Sequence, residues 1–490
     1  MDVIDRVAET LRTKADGPAI EYAGAWTSWG EVAAYGDQVG ALLDAAGCAP
    51  DARIGVIIRN RAAHAAAVIG LLAHRRAVSF LYPFLPEAEL AKQIEALGAA
   101  AIVADMADWP KLRAAVEANG GAGIALGADV RTPPQFVEGL ERTRRAPVGE
   151  DHGGVEVLSS GTTGPPKRIA MPLAILERAV LSAPGGEAGS VPPVQINVWP
   201  LGGVGGMCLL TAAAATGTPL VLFDRFSVEE LVEAIRRHRP PTIGLPPTAI
   251  SMILDANVPP EDMASIKSVS GGSAYLDPDV QERFEQRYGA TILWGMGATE
   301  FCGTIVRWTP EMRERAGSAK RGSTGKAMPG VELRTVDPDT GEIQPPGKDG
   351  LLEVHCPAVR PDWVRTTDLV MIDDDGFVFH RGRADGAIVR GGFKVLPERV
   401  VDALRAHPAV ADASVIGIDD ARLGAVPVAA VELVPGPPQT DEAALMDYLR
   451  ERLPAMQVPT ELRIVDALPR TPSLKVSLTD VRKLFERVAA

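Results

Sequence analysis

Apolar and polar positions alternate along this chain with two periods. Ala52–Ile58 is an almost unbroken apolar run of strand length, and Ala62–Ala73 after it has the length and composition of a helix. Pro86–Leu97 repeats the helical pattern ahead of a strand at Ala100–Val103. Leu220–Phe223 precedes a helix at Val228–His238, and a strand at Thr242–Leu245 follows. Between Gly30 and Ala46, Val32, Tyr35, Val39, Leu42, Leu43 and Ala46 fall on one face at spacings of three and four. Strands and helices taking turns in this way predict a mostly parallel sheet covered by helices.

The pattern changes after Gly382-Arg383-Ala384-Asp385, where the elements shorten. A helix is predicted from Pro397, proline being tolerated in a first turn. Strands near Ala413–Ile418 and Val426–Val434 follow, then a helix at Asp441–Leu453, a strand at Leu462–Val465 and a helix at Ser477–Val488. The predicted fold class is α/β: a large N-terminal domain, residues 1–384, of mostly parallel sheets flanked by helices, plus a small α+β C-terminal domain, residues 385–490. Gly121–Val148 and Pro435–Thr440, rich in Gly, Pro and charge, read as linkers.

Length and charge narrow the classes. A chain of 490 residues exceeds one ordinary domain. Hydrophobic residues make up 46 % and charged residues 23 %, the balance of a water-facing globular protein. The net charge of −13 argues against nucleic acid as a partner, since a phosphate backbone needs a basic footprint. Residues 188–223 carry no charge, but Pro192, Pro193, Pro200 and Pro219 interrupt them, so they read as buried core and not as a membrane span. The acids among the first residues read as a surface helix and not as a signal peptide. Cys48, Cys208, Cys302 and Cys356 stand singly, without metal or disulfide spacing, which fits a cytoplasmic protein.

Candidate chemistry begins at Leu158–Arg168, Leu-Ser-Ser-Gly-Thr-Thr-Gly-Pro-Pro-Lys-Arg. Gly161 and Gly164 let the backbone curl, while Ser159, Ser160, Thr162, Thr163 and Lys167 offer donors, a set suited to phosphate. It is not a Walker loop: Pro166 stands where that pattern needs glycine, and Arg168 where it needs Ser or Thr. Alone, the stretch reads as a solvated polar turn. Leu293–Glu300 adds an apolar strand that ends in a carboxylate, the ligand type magnesium takes. Further along come Asp362–Asp368, Asp373–Phe377, Arg381–Asp385, Gly391–Glu398 and Pro469–Lys475.

In order and spacing this set resembles the adenylate-forming superfamily: acyl- and aryl-CoA synthetases, peptide-synthetase adenylation domains and luciferases. The resemblance runs from the helix at Gly30 to Lys475 and implies a mobile C-terminal domain. It implies that residues Ser159 to Lys167 cover the β- and γ-phosphates of ATP, and that Thr299 and Glu300 contact phosphate and Mg2+, with Glu300 as metal ligand. It puts Asp368 and Arg383 on the ribose hydroxyls and makes Asp385 the hinge. Gly391 and Gly392 fall on the strand lining the pantetheine tunnel of coenzyme A, and Lys475 becomes the catalytic lysine. Gly272 and Ser273 border acyl group and adenine, and Gly295, Met296 and Gly297 belong to the nucleotide site. Trp199, Gly203, Ser273, Trp294 and Met296 are the implied acid pocket, with Trp294 limiting its depth. Each role suits the chemistry: attack of a carboxylate on the α-phosphate builds negative charge that a lysine and a magnesium ion stabilise. Two half-reactions need two sets of residues, which a hinge can exchange.

Several positions depart from the family pattern. Met296 replaces a usual adenine-stacking Tyr, and Gly202 and Gly203 stand where an aromatic residue and a His are common, a loss that would open the thiol channel or enlarge the acid pocket. Thr367 and Leu474 replace usual glycines, and Arg168 stands where Gly is common. The implied activity is ATP-dependent activation of a carboxylic acid, followed by thioester formation with CoA. A second reading passes the acyl group to an amine or other small nucleophile, and a third is a degenerate nucleotide-binding scaffold. Retention of Glu300, Asp368, Arg383 and Lys475 disfavours the third. The acid reads as aromatic or medium-sized, and the assembly as a monomer or homodimer.

Overall fold

The apolar runs of the first third of the chain assemble into a seven-stranded sheet. In a computed structural model its order is Gln135–Phe136, Ala122–Leu126, Ala101–Asp105, Arg53–Ile57, Ala77–Leu81, Val155–Leu158, Arg168–Met171. The five inner strands are parallel and the two outer ones antiparallel. The structure describes the chain except residues 84, 86, 146–153, 159–167, 172, 174, 178–191, 273–275, 299–300, 302, 385, 391–392, 421–422, 437–439, 472–473 and 487–490.

Ala77–Leu81, Ala101–Asp105 and Ala122–Leu126 are buried at every residue, as strands covered on both faces must be. The last of these corrects the linker reading of 121–148. Ala-Gly-Ile-Ala-Leu has little intrinsic strand preference, and its burial on both faces decides the matter.

A second sheet orders Gln195–Asn197, Leu220–Leu222, Pro18–Tyr22 and Ala25–Ser28. Two helices of small residues, Ala62–Ala73 and Val204–Thr216, share one core with both sheets. The helix Trp29–Ala45 starts at a capping box: Ser28 Oγ accepts from the Glu31 amide, and the Glu31 carboxylate accepts from the Ser28 amide. It meets Ala62–Ala73 backbone to backbone, for a Cβ on Gly36 would fall 2.5 Å from the Gly70 Cα.

The third sheet holds Thr242–Gly244, Ser268–Gly271 and Thr291–Ala298 in parallel, then Gly303–Arg307 and Lys326–Ala327 antiparallel. A fourth sheet, which the hydrophobic pattern did not anticipate, is wholly antiparallel: Glu332–Val336, Asp349–Cys356, Arg360–Ile372 and Val378–Arg383. The next strand in sequence, Ile388–Arg390, belongs to a different sheet, beside Phe393–Val395 and Gly424–Leu433. Val410–Asp420 and Glu461–Val465 flank Gly424–Leu433. The helices Pro397–Arg405 and Glu442–Arg452 bury Val400, Leu404, Leu445 and Leu449 in a core of its own, and Leu478–Phe485 buries Val481 and Phe485 in another. The molecule is thus a large mixed α/β N-terminal domain and a smaller C-terminal one.

Candidate active site

Strand pairing sets the first constellation. Asp368 and Arg383 lie directly opposite each other on adjacent antiparallel strands, with Arg383 Nη1 4.0 Å from Asp368 Oδ1. His380, on the same strand as Arg383, places Nε2 3.3 Å from the same oxygen. Two residues of the C-terminal domain bear on this cluster. Glu398, in the first turn of Pro397–Arg405, lies against Gly382, where a Cβ would fall 2.7 Å from Glu398 Oε2. That oxygen is buried with no hydrogen-bond partner among the described residues. Burial pushes the Glu398 carboxyl above the usual carboxylate range, although the His380 and Arg383 charges oppose the shift. The other residue is Lys475. Burial holds its ammonium below the usual lysine value, and the Arg383 guanidinium adds to the effect. The Arg383 charge thus bears on both Asp368 and Lys475. His380 and Glu398 were not singled out from the sequence. The strand register is what brings His380 there, and Glu398, the last residue of the segment Gly391–Glu398, was given no role of its own.

Glycines shape the second part of the site. Gly272 approaches the Gly295 carbonyl so closely that a Cβ would stand 2.8 Å from its oxygen. A Cβ on Gly295 would stand 2.9 Å from the Val306 carbonyl oxygen, and Gly297 meets the Gly303 backbone. Trp294 is 4 % exposed, and its ring fills the space where a Gly271 side chain would be. Met296 is half-buried against Val306 and the core under the antiparallel sheet that carries Asp368.

Trp199 sits in a loop held by two asparagines. Asn60 Nδ2 and Asn197 Nδ2 both donate to its carbonyl at 3.0 Å, and its amide donates to Asn197 Oδ1 at 2.9 Å. Its indole lies against Gly244 and Gly205. The two glycines after Leu201 differ. At Gly202 a Cβ would fall 2.6 Å from Ile58 Cγ2 and 3.1 Å from Tyr82 Cε1, so the space is already filled. At Gly203 the nearest atom would be 3.5 Å away, leaving ordinary room.

Ser159, Ser160, Gly161, Thr162, Thr163, Gly164, Lys167, Ser273, Thr299, Glu300, Asp385, Gly391 and Gly392 lie outside the described residues. The flanks of two of these segments are described. Leu158 and Arg168 pair across antiparallel strands at the base of the 159–167 segment. Arg168 Nη2 donates to the Gln93 carbonyl at 3.0 Å, which ties that base to the helix Glu87–Leu97. Arg390, just before Gly391, donates through Nη1 to the Met456 and Val458 carbonyls at 3.0 and 2.9 Å.

A family model described as AMP-binding enzyme matches residues 7–361, and one described as AMP-binding enzyme C-terminal domain matches residues 401–475. The chain belongs to the AMP-binding enzyme family. It is 29 % identical over 360 residues to 4-coumarate–CoA ligase-like 2 of Arabidopsis thaliana, a match covering 69 % of this chain and 62 % of that one, under two thirds of the relative's length. It is 30 % identical over 346 residues to 2-succinylbenzoate–CoA ligase of Bacillus subtilis, covering 67 % and 68 %. Among solved structures, ATP-bound MatB from Rhodopseudomonas palustris superposes with a TM-score of 0.83 over the whole of both chains at 22 % identity, a likeness of fold. Among the described residues no helix is long and apolar enough to cross a membrane.

Proposed function

We propose that this chain is an AMP-forming acid–thiol ligase: it activates a carboxylic acid with ATP to an acyl-adenylate, then forms the thioester with coenzyme A. The observation that carries the reading is the Asp368–Arg383 pair of the large domain, whose guanidinium charge acts on the buried Lys475 of the small one. A carboxylate opposite a guanidinium suits the hydroxyls and charge of a nucleotide, and a lysine pressed into a cationic neighbourhood is poised for an anion. The relatives above, named as CoA ligases, support the thiol acceptor.

In this reading Asp368 accepts from the ribose hydroxyls and Arg383 donates to them. Lys475 bridges the acid carboxylate and the α-phosphate, offsetting the charge that grows there. Ser159 to Lys167 cradle the outer phosphates, Thr299 contacts phosphate, and Glu300 holds Mg2+, which when bound neutralises phosphate charge. Asp385 is the hinge for a mobile domain comprising residues 385–490. Gly391 and Gly392 line the pantetheine path. Gly272, Ser273, Gly295, Met296 and Gly297 border adenine and acyl group, and Trp199, Gly203, Ser273, Trp294 and Met296 bound an aromatic or medium-sized acid. The reaction takes place in the cytoplasm.

The deciding experiment incubates the protein with ATP, magnesium and a panel of aromatic and aliphatic acids, with and without CoA, and reads products by mass. Acyl-AMP without CoA and acyl-CoA with it are expected. An amide in place of the thioester would redirect the second step, and no AMP release with any acid would overturn the reading.

A further inference from the structure

The residue before Lys475 is strained. Leu474 has φ +62, a left-handed backbone that residues with side chains adopt rarely. Local bonds frame it: the Leu474 amide donates to the Thr471 carbonyl at 2.9 Å, the Thr471 amide to the Lys475 carbonyl at 2.7 Å, and the Ser477 amide to the Pro469 carbonyl at 2.8 Å. Arg470 and Val476 form a bridge across the turn.

What fixes the turn in space is its outward carbonyl. Thr248 Oγ1, in the first turn of the large-domain helix Pro247–Asp255, donates to the Leu474 carbonyl at 3.0 Å. Arg470 Nη1 lies 3.5 Å from the same carbonyl and 3.4 Å from Thr248 Oγ1. Arg470 is held within its own domain, because Nη2 meets Asp412 at 2.7 Å and Asp412 is also bound by Arg405 at 2.7 Å. The small domain thus presents a preformed cationic turn, and one large-domain hydroxyl receives it.

We propose that Thr248 is a positioning residue for adenylation: it docks the turn that carries Lys475 and so sets where that lysine stands. The proposal rests on the adenylating reading above. In that reading the small domain turns about its hinge between half-reactions, which would break the contact between Thr248 and Leu474 and leave Arg470 on Asp412, both being in the small domain. Thr248 therefore acts in the first half-reaction and not in the second.

Two measurements on the full-length protein test this, with Thr248→Val, which keeps the shape and loses the hydroxyl, and Thr248→Ser, which restores it. In the protein without ligands, amide exchange of the 469–477 peptide is expected to accelerate on the order of tenfold in Thr248→Val and to return to the parent rate in Thr248→Ser, the loss of one hydrogen bond. Pyrophosphate exchange, run with the acid giving the fastest AMP release, is expected to fall on the order of tenfold in kcat with little change in KM for ATP. Thioester formation from the matching synthetic acyl-adenylate should stay at the parent rate. Unchanged peptide exchange in Thr248→Val, an equal loss in Thr248→Ser, or equal losses in both half-reactions would overturn the proposal. Two controls separate the two ideas: if the parent protein shows no pyrophosphate exchange with any acid the adenylating reading fails, and if Lys475→Ala retains it the role of Lys475 fails, while the ligand-free peptide exchange still judges the docking contact.

Discussion

Lys475 shows how much one side chain owes to its surroundings. Burial and the Arg383 guanidinium both disfavour its charge, so it loses its proton at a lower pH than a solvated lysine would. The alkaline limb of kcat/KM for ATP, which reports the free enzyme, is therefore expected below the ordinary lysine range and should vanish in Lys475→Arg. A limb at the ordinary value would contradict it. Truncation to Lys475→Ala should lower pyrophosphate exchange about 10²–10³-fold, the effect of losing one transition-state donor, and spare thioester formation from pre-made acyl-adenylate. The sequence singled out the lysine through its motif, Pro469–Lys475. Contacts between distant residues were not legible: His380 reaches Asp368 across twelve residues through strand register, and the Arg168 guanidinium finds the Gln93 carbonyl 75 residues back.

At the level of elements, the helix Trp29–Ala45 was predicted from periodicity and Ala62–Ala73 from its length and composition, and both formed within a residue of the expected limits. Their contact was not predictable, since no local signal says which helix a glycine will meet. Gly36 and Gly70 let the two backbones touch, and each position lacks room for a methyl group. Gly36→Ala is expected to destabilise the protein by about 1–3 kcal/mol, the range for overpacking a filled core, measured by urea unfolding at constant m. A change below about 0.5 kcal/mol would mean the helices separate freely. The same distinction explains Ala122–Leu126. Its composition spoke for a loop, and its neighbours made it a strand buried on both faces.

Across the whole molecule, Glu398 couples the domains. Its carboxyl, raised by burial against Gly382, favours the protonated form in this arrangement. A raised acid contributes stability that is complete below its unfolded value and lost as pH rises through the folded one. Wild type should therefore lose thermal stability, relative to Glu398→Gln, as pH rises out of the carboxylate range, and the gap should level off above it. Parallel melting curves across that pH series would count against the coupling. The sequence by itself determined the alternation of helices and strands in the first third of the chain, the change of pattern near residue 385 and the inventory of chemical groups, because periodicity and residue type are local properties. Only the tertiary structure decided that residues 332–383 form an antiparallel sheet, that Asp368 faces Arg383, and that Thr248 receives the turn before Lys475. Those outcomes depend on burial and on pairings between distant segments, whose closure entropy and packing partners are written nowhere in a local window.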